Sequence, residues 1–185
     1  MEYTHKPVLL RQCLEGLNIR SDGTYIDGTL GRAGHSLEIV RRLTTGRLIA
    51  IDRDKAALDA APARLEGHMD KVTLVRGNFG DLTSILASLG VSGVDGMLFD
   101  LGVSSPQLDD GSRGFSYLQD APLDMRMDRS APLTARDVVN GWTQEELKRI
   151  LWQYGEERYS GPIAAAIARA REQEPIETTG QLAEL

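Results

Sequence analysis

The sequence has a single cysteine, Cys13, among its 185 residues. A lone thiol can close neither an internal disulfide nor a cysteine-based zinc site, which suits a reducing compartment. Its neighbours Leu9, Leu10, Leu14 and Leu17 mark Cys13 as a small buried apolar residue. Three scattered histidines, His5, His35 and His68, make no metal site, so none is expected. No apolar run approaches the ~18 to 20 residues that a membrane span requires, and the start Met1–Lys6 lacks the apolar centre of a secretory signal. The expected address is cytoplasmic, with no membrane partner. Positive charge is also scarce, since 21 basic against 27 acidic side chains give a net charge of −6. That balance counts against nucleic-acid binding through a broadly basic surface and leaves only a local basic face. Hydrophobic residues make up 41% of the chain, enough for one ordinary core or for one domain and part of a second.

What is present begins with Tyr25-Ile26-Asp27-Gly28-Thr29-Leu30-Gly31-Arg32-Ala33-Gly34-His35-Ser36, an apolar strand running into three glycines and then a helix. This is the opening βα turn of a doubly wound nucleotide-binding sheet. The spacing Gly-x-x-Gly-x-x-Gly differs from the Gly-x-Gly-x-x-Gly of dinucleotide enzymes and argues against a nicotinamide cofactor. Before it, residues 7 to 17 have helical apolar spacing; after it, Ser36 is suited to cap a helix that Gly46 stops. The run Arg47 to Asp52 reads as a buried parallel strand whose terminal carboxylate stands where a ribose diol is usually held. Asp54 starts another helix. A third strand at Val72–Val75 leads to Asn78 and Phe79, a ring placed to stack on adenine or to fill the core. A short helix over 81–89 and a fourth strand, Val94 to Leu101, bring Asp100 to the same sheet edge. Acidic strand tips at Asp27, Asp52 and Asp100 suit a sulfonium nucleoside better than a pyrophosphate. The pattern is the α/β layout of a class I, Rossmann-like methyltransferase.

Several stretches carry a closer likeness. Asp27-Gly28-Thr29, Gly31 to Ser36, Ile51 to Asp54, Asp100-Leu101-Gly102-Val103-Ser104-Ser105-Pro106-Gln107-Leu108-Asp109, Arg113 to Ser116, Pro122 to Asp128 and Tyr154 to Arg158 span nearly the whole chain. Together they resemble the bacterial family that methylates the N4 amine of a cytidine in small-subunit (16S) ribosomal RNA with S-adenosylmethionine. The resemblance implies cofactor contacts at Ala33, Gly34, His35, Asp52, Phe79, Asp100 and Gln107, with Asp27 at the first strand tip beside them. Ala33 departs from the family's usual glycine, at a cost of about 1 kcal/mol if a positive φ is required there.

The reaction implied needs acceptors aimed at the N4 hydrogens, because that amine gains positive charge as it is methylated. The Asp100 carboxylate and the backbone carbonyls of Ser104, Ser105 and Pro106 are the candidates. Leu108 stands where related loops carry an aromatic residue, so Phe115 or Tyr117 is expected to supply any ring that stacks on the base. His35 is assigned to cofactor binding, since no strong base is required.

From about residue 111 the alternation of strands and helices ends. The resemblance implies that residues 1–110 are the S-adenosylmethionine-binding domain and 111–185 part of an inserted, mostly helical domain for RNA recognition. Capping boxes at Thr143–Glu146 and Thr178–Gln181 start two of its helices, and Ser160-Gly161-Pro162 opens a third. Arg113, Arg126, Arg129, Arg136, Lys148, Arg149, Arg158, Arg169 and Arg171 offer cations for phosphates. Only the first four strands of the family's sheet are present and its C-terminal strands are absent, so the chain is expected to be truncated. The alternative is a catalytically impaired fragment that binds cofactor, or self-associates as a homodimer through an exposed fourth strand, without methylating RNA.

Overall fold

The computed structural model describes residues 7–185, which places His5 outside the described residues. It contains two compact units, one ending at Gly102 and one running from Val103 to Leu185.

The first unit is a four-stranded parallel sheet in the order β3-β2-β1-β4. Its strands are β1 (Thr24–Asp27), β2 (Arg47–Asp52), β3 (Val72–Arg76) and β4 (Gly96–Leu98). The helices are α1 (Leu10–Leu17), α2 (Gly34–Val40), α3 (Lys55–Arg64) and α4 (Leu82–Ser88). The two central strands are apolar on both faces, as a covered parallel sheet requires. Tyr25, Leu48 and Ala50 face Ile39, Val40, Leu43, Ala61 and Leu65, with Leu14 and Leu17 of α1 packed against them. The alternate residues Ile26, Ile49 and Ile51 face Leu82, Ile85, Leu86, Val91 and Val94. Cys13 is only half-buried, because α1 lies on the rim of the first cluster and buries no residue completely.

Two details of this unit differ from expectation. Strand β4 is shorter than Val94–Leu101, since its only ladder is the three-residue pairing Tyr25↔Gly96, Ile26↔Met97 and Asp27↔Leu98. Helix α2 starts at Gly34, so Ser36 lies inside it and its hydroxyl donates to Asp27 Oδ2 at 2.7 Å instead of capping. Asp54 does cap α3, accepting from the Ala56 N–H at 3.0 Å.

The second unit holds α5 (Ser105–Asp109), α6 (Ala135–Gly141), α7 (Gln144–Gln153), α8 (Ser160–Gln173) and α9 (Thr179–Ala183). Reciprocal capping boxes start α7 at Thr143/Glu146 and α9 at Thr178/Gln181, and Thr134/Asp137 adds one for α6. The core is Leu123, Val139, Leu147, Ala164, Ile167 and Ile176, with Trp142 and Ile150 against it. Residues 121–123 form a strap bonded to the chain entering α9: Leu123 N–H donates to Glu177 O at 3.0 Å and Thr179 N–H to Ala121 O at 2.9 Å.

Most of the cations proposed for phosphates are used inside this unit. Arg113 is buried and donates to the carbonyls of Arg126 and Met127 at 2.9 and 3.1 Å. Arg126 forms a two-pronged pair with Asp124 at 2.8 and 2.7 Å, Arg136 pairs with Glu177, Arg171 donates to Val139 O and Lys148 lies 3.6 Å from Glu145. Among the described residues Arg129, Arg149, Arg158 and Arg169 form no such ion pair.

The Arg126 fork holds the Asp124 carboxyl down to about 2. A folded-state value below the unfolded one means that this stability is complete above the unfolded value near 3.8 and is lost as pH falls through about 2. Asp124→Asn is therefore expected to cost this unit about 2 kcal/mol at pH 7 and to flatten its acid denaturation below pH ~4, as read by urea unfolding at several pH values.

Candidate active site

The carboxyl edge of the sheet is knitted together by the residues of the first glycine loop. Gly28 N–H donates to Leu98 O at 2.9 Å and Leu30 N–H to Ile51 O at 3.0 Å, so the chain leaving β1 is spliced between β4 and β2. Thr29 Oγ1 then accepts from the Asp100 N–H at 2.7 Å. Asp52 completes the frame: Oδ2 accepts from the Gly31 N–H at 2.8 Å and Oδ1 from the Asp54 N–H at 2.8 Å. A carboxylate has about four acceptor positions, so Asp52 braces the loop and keeps lone pairs for a ligand.

Asp27 is placed differently. It is 1% exposed, and its carboxylate accepts from Ser36 Oγ at 2.7 Å and from the Thr29 N–H at 3.1 Å. Burial raises its pKa, and these hydrogen bonds only partly oppose that shift. It acts on the edge by fixing the loop's shape from beneath.

Ala33 takes the left-handed backbone conformation, φ +57° and ψ 24°, and is completely buried. The positive φ that glycine would adopt without strain is therefore required of an alanine, and the methyl group's burial in the first core cluster compensates. Ala33→Gly is expected to change stability by less than about 1 kcal/mol, because strain relief and the lost methyl oppose each other. Ala33→Val is expected to cost about 3 kcal/mol, since a β-branched residue is a poor fit to positive φ and the site has no spare room. Denaturant unfolding of both variants checks the pair.

Gly34 and His35 face the segment before α1. A Cβ on Gly34 would lie 2.5 Å from Pro7 Cγ, so only glycine lets Pro7 seat there. His35 is buried, with Nε2 3.0 Å from the Val8 carbonyl and Nδ1 3.9 Å from Asp100 Oδ2. A carbonyl only accepts, so Nε2 carries a hydrogen. His35 thus ties the Val8 carbonyl to the start of α2, with its other ring nitrogen beside the Asp100 tip but beyond hydrogen-bond length.

Phe79 follows β3, in a turn whose first residue, Asn78, accepts from the Gly80 N–H at 3.0 Å. Its ring is 39% exposed and meets Phe99 edge to face, centroids 5.5 Å apart at 64°. Phe99 was not singled out from the sequence. It is 42% exposed, and its ring occupies the space above Gly28, where a Cβ would approach to 2.3 Å. The signal was available in the alternation Met97, Phe99, Leu101 at an edge strand, opposite a glycine.

Ser104, Ser105, Pro106 and Gln107 belong to the second unit. The stretch expected to be a loop is the short helix α5, with Pro106 in its first turn. Gln107 is buried, and its Oε1 accepts from the Ser104 N–H at 2.9 Å, while Ser104 O accepts from the N–H of Gln107 at 2.9 Å. The Ser104 carbonyl also accepts from the Leu108 N–H at 3.2 Å, so it is engaged twice inside the helix, and Pro106 O accepts once, from the Asp110 N–H at 3.0 Å. Of the two rings proposed to stack on a base, Phe115 lies under the Arg113 guanidinium, 5.8 Å from its centroid, and Tyr117 is exposed. No cluster of three or more metal-ligating side chains occurs among the described residues, and none of their helices is long and apolar enough to cross a membrane.

A parallel sheet with the crossover order 3-2-1-4, a glycine turn after its first strand and carboxylates at its strand tips defines a Rossmann-like α/β protein of the class I methyltransferase kind. The chain belongs to the MraW methylase family, whose model matches residues 2–185. It is 57% identical over 186 residues to "Ribosomal RNA small subunit methyltransferase H" of Brevibacillus brevis, covering 100% of this chain and 59% of the relative. Proteins of the same name from Symbiobacterium thermophilum and a Paenibacillus species are 54% and 56% identical, over 58% and 60% of their lengths. The chain thus spans about three fifths of the length of the curated relatives it matches.

Proposed function

We propose that the chain carries the S-adenosylmethionine side of an rRNA cytosine-N4 methyltransferase acting on the small ribosomal subunit. The observation that carries this reading is Asp52, whose carboxylate joins the β2 tip to Gly31 of the glycine loop and retains acceptor capacity for a ribose diol. The donor set fits such a ligand: two acidic tips, Asp52 and Asp100, for a cationic nucleoside, and a half-exposed Phe79 ring for its base. S-adenosylmethionine, when bound, supplies the methyl group. Gly34 and Ala33 shape the loop against it, His35 joins the cofactor set beside the Asp100 tip, and Gln107 joins it through the family motif that contains it.

In the proposed reaction Asp100, 47% exposed at its side chain, accepts a hydrogen bond from the target amine as positive charge develops on N4. Ser104, Ser105 and Pro106 are assigned to the target base by the same motif. The released proton needs no strong base, so solvent suffices to remove it. The partner is ribosomal RNA of the small subunit, and the proposed address is the cytoplasm.

A second reading is favoured by the edge of the sheet. Strand β4 has β1 on one side only among the described residues; Met97 is exposed on it, as are Phe99 and Leu101 just beyond its end. Such an edge pairs readily with a second copy, giving a homodimer that binds cofactor without methylating RNA. Methyl transfer to undermodified small ribosomal subunits, with sedimentation of the same sample, separates the two. Turnover by a monomer supports the first, whereas a cofactor-binding dimer without turnover supports the second.

A further inference from the structure

Two phenylalanines that leave different strands of the first unit's sheet meet at its carboxyl edge. Phe79 follows β3 and Phe99 follows β4, the two outer strands in the order β3-β2-β1-β4 among the described residues. With neighbouring strands about 4.8 Å apart, those two strands stand roughly 14 Å from each other. Their rings nevertheless lie 5.5 Å apart, edge to face at 64°. The contact therefore crosses the edge over β2 and β1, where Asp52 and the glycine loop stand.

Backbone bonds fix both ends of this bridge. Gly77 N–H donates to Asp52 O at 3.0 Å and Asp81 N–H to Asn78 O at 2.8 Å, which sets the turn that carries Phe79. Leu98 O accepts from Gly28 N–H at 2.9 Å and Asp100 N–H donates to Thr29 Oγ1 at 2.7 Å, so the backbone on either side of Phe99 is pinned to the glycine loop. The Phe99 ring fills the space that Gly28 leaves: a Cβ there would lie 2.3 Å from Cε1 and 2.5 Å from Cδ1. Gly28 is not among the residues with positive φ, so the turn does not require glycine at that position. The Phe99 ring does.

Neither ring is buried in the sheet's core. A phenyl group on a turn has two torsions to settle, and an edge-to-face partner settles them. We infer that Phe99, seated on the bare backbone of Gly28, is a positioning residue that sets the Phe79 ring for stacking on the base of the bound nucleoside. The inference rests on the cofactor reading proposed above and adds Phe99 and Gly28 to it. Phe99 acts before the ligand arrives. A ring already held loses no torsional freedom on binding, which improves affinity without a new contact to the ligand.

The test uses the 185-residue chain, with S-adenosylmethionine affinity read by calorimetry and the adenine H2 and H8 shifts of bound S-adenosylhomocysteine read by NMR. Phe79→Leu is expected to weaken binding roughly tenfold and to remove the upfield shift that a stacked ring imposes on those protons. Phe99→Leu is expected to weaken binding roughly three- to tenfold and to reduce that shift, whereas Phe99→Tyr, which keeps a ring, retains both. The double variant is expected to bind no more weakly than Phe79→Leu alone, since Phe99 acts through Phe79. Gly28→Ala is expected to match Phe99→Leu in the wild-type chain and to cost little further in Phe99→Ala, where no ring has to be displaced. The shifts are read on the ligand's own protons, so a general loss of stability does not imitate the result. Unchanged affinity in Phe99→Leu, or losses that add in the double variant, overturns the positioning role. Unchanged shifts in Phe79→Leu, with Asp52-dependent binding intact, overturn the stacking and this inference together but leave the cofactor site standing. Absence of S-adenosylmethionine binding from the wild-type chain removes the cofactor reading itself, and the inference with it.

Discussion

Asp52→Ala is expected to weaken S-adenosylmethionine binding by roughly 10- to 100-fold, about 1 to 3 kcal/mol, as measured by calorimetry. Two losses combine in that figure. The Gly31 and Asp54 N–H groups lose their acceptor, which frees the glycine loop from the β2 tip. The ribose diol loses its acceptor at the same time. Asp52→Asn is expected to be nearly as harmful, because its amide group would turn a donor toward one of two N–H donors. The two losses are separable with a 2′-deoxy analogue of the ligand. If Asp52 holds the diol, the analogue binds the wild-type chain more weakly and loses less than S-adenosylmethionine does on Asp52→Ala, a coupling that a double-mutant cycle reads directly.

Gly114→Ala is expected to destabilise the second unit by about 3 kcal/mol or more, a large share of an ordinary domain's margin. Gly114 has φ +70°, and an added Cβ would lie 2.5 Å from Pro122 O and 2.9 Å from Asp124 N. Those are backbone atoms, and the strap they belong to cannot yield easily. Leu123 N–H is bonded to Glu177 O, Met125 N–H to Arg113 O at 3.0 Å, and Asp124 holds Arg126. Both tryptophans, Trp142 and Trp152, lie in this unit, so urea unfolding followed by tryptophan fluorescence reports it alone. A midpoint equal to that of the wild type would show that the strap gives way without cost.

Where one local cause dominates, sequence and structure agree closely. Strand β2 has the expected limits, because a strand buried on both faces is an unbroken apolar run with a polar residue at each end. The capping boxes at Thr143 and Thr178 are likewise local chemistry. Disagreement begins where a distant partner decides. Ser36 reads as a cap, but a buried carboxylate nine residues upstream claims its hydroxyl. Arg136 reads as a cation for phosphate, but Glu177, 41 residues away, neutralises it. The stretch from Ser105 to Asp109 follows a strand tip like a loop, but the reciprocal Ser104–Gln107 bonds cap it as helix α5. Phe99 leaves a trace in the sequence, the apolar alternation Met97, Phe99, Leu101, but its place over the bare backbone of Gly28 follows only from the strand pairing. Ala33 is the instructive case at the glycine loop: the sequence shows a departure from the family's glycine, and only the backbone angle shows that the strained conformation is retained.

The most direct test of the account is a calorimetric titration of the 185-residue chain with S-adenosylmethionine and, separately, with NAD. The account predicts one saturable site for S-adenosylmethionine, abolished or strongly weakened in Asp52→Ala, and no measurable heat with NAD. Tight NAD binding, or S-adenosylmethionine binding that is absent from the wild-type chain or indifferent to Asp52, would contradict it.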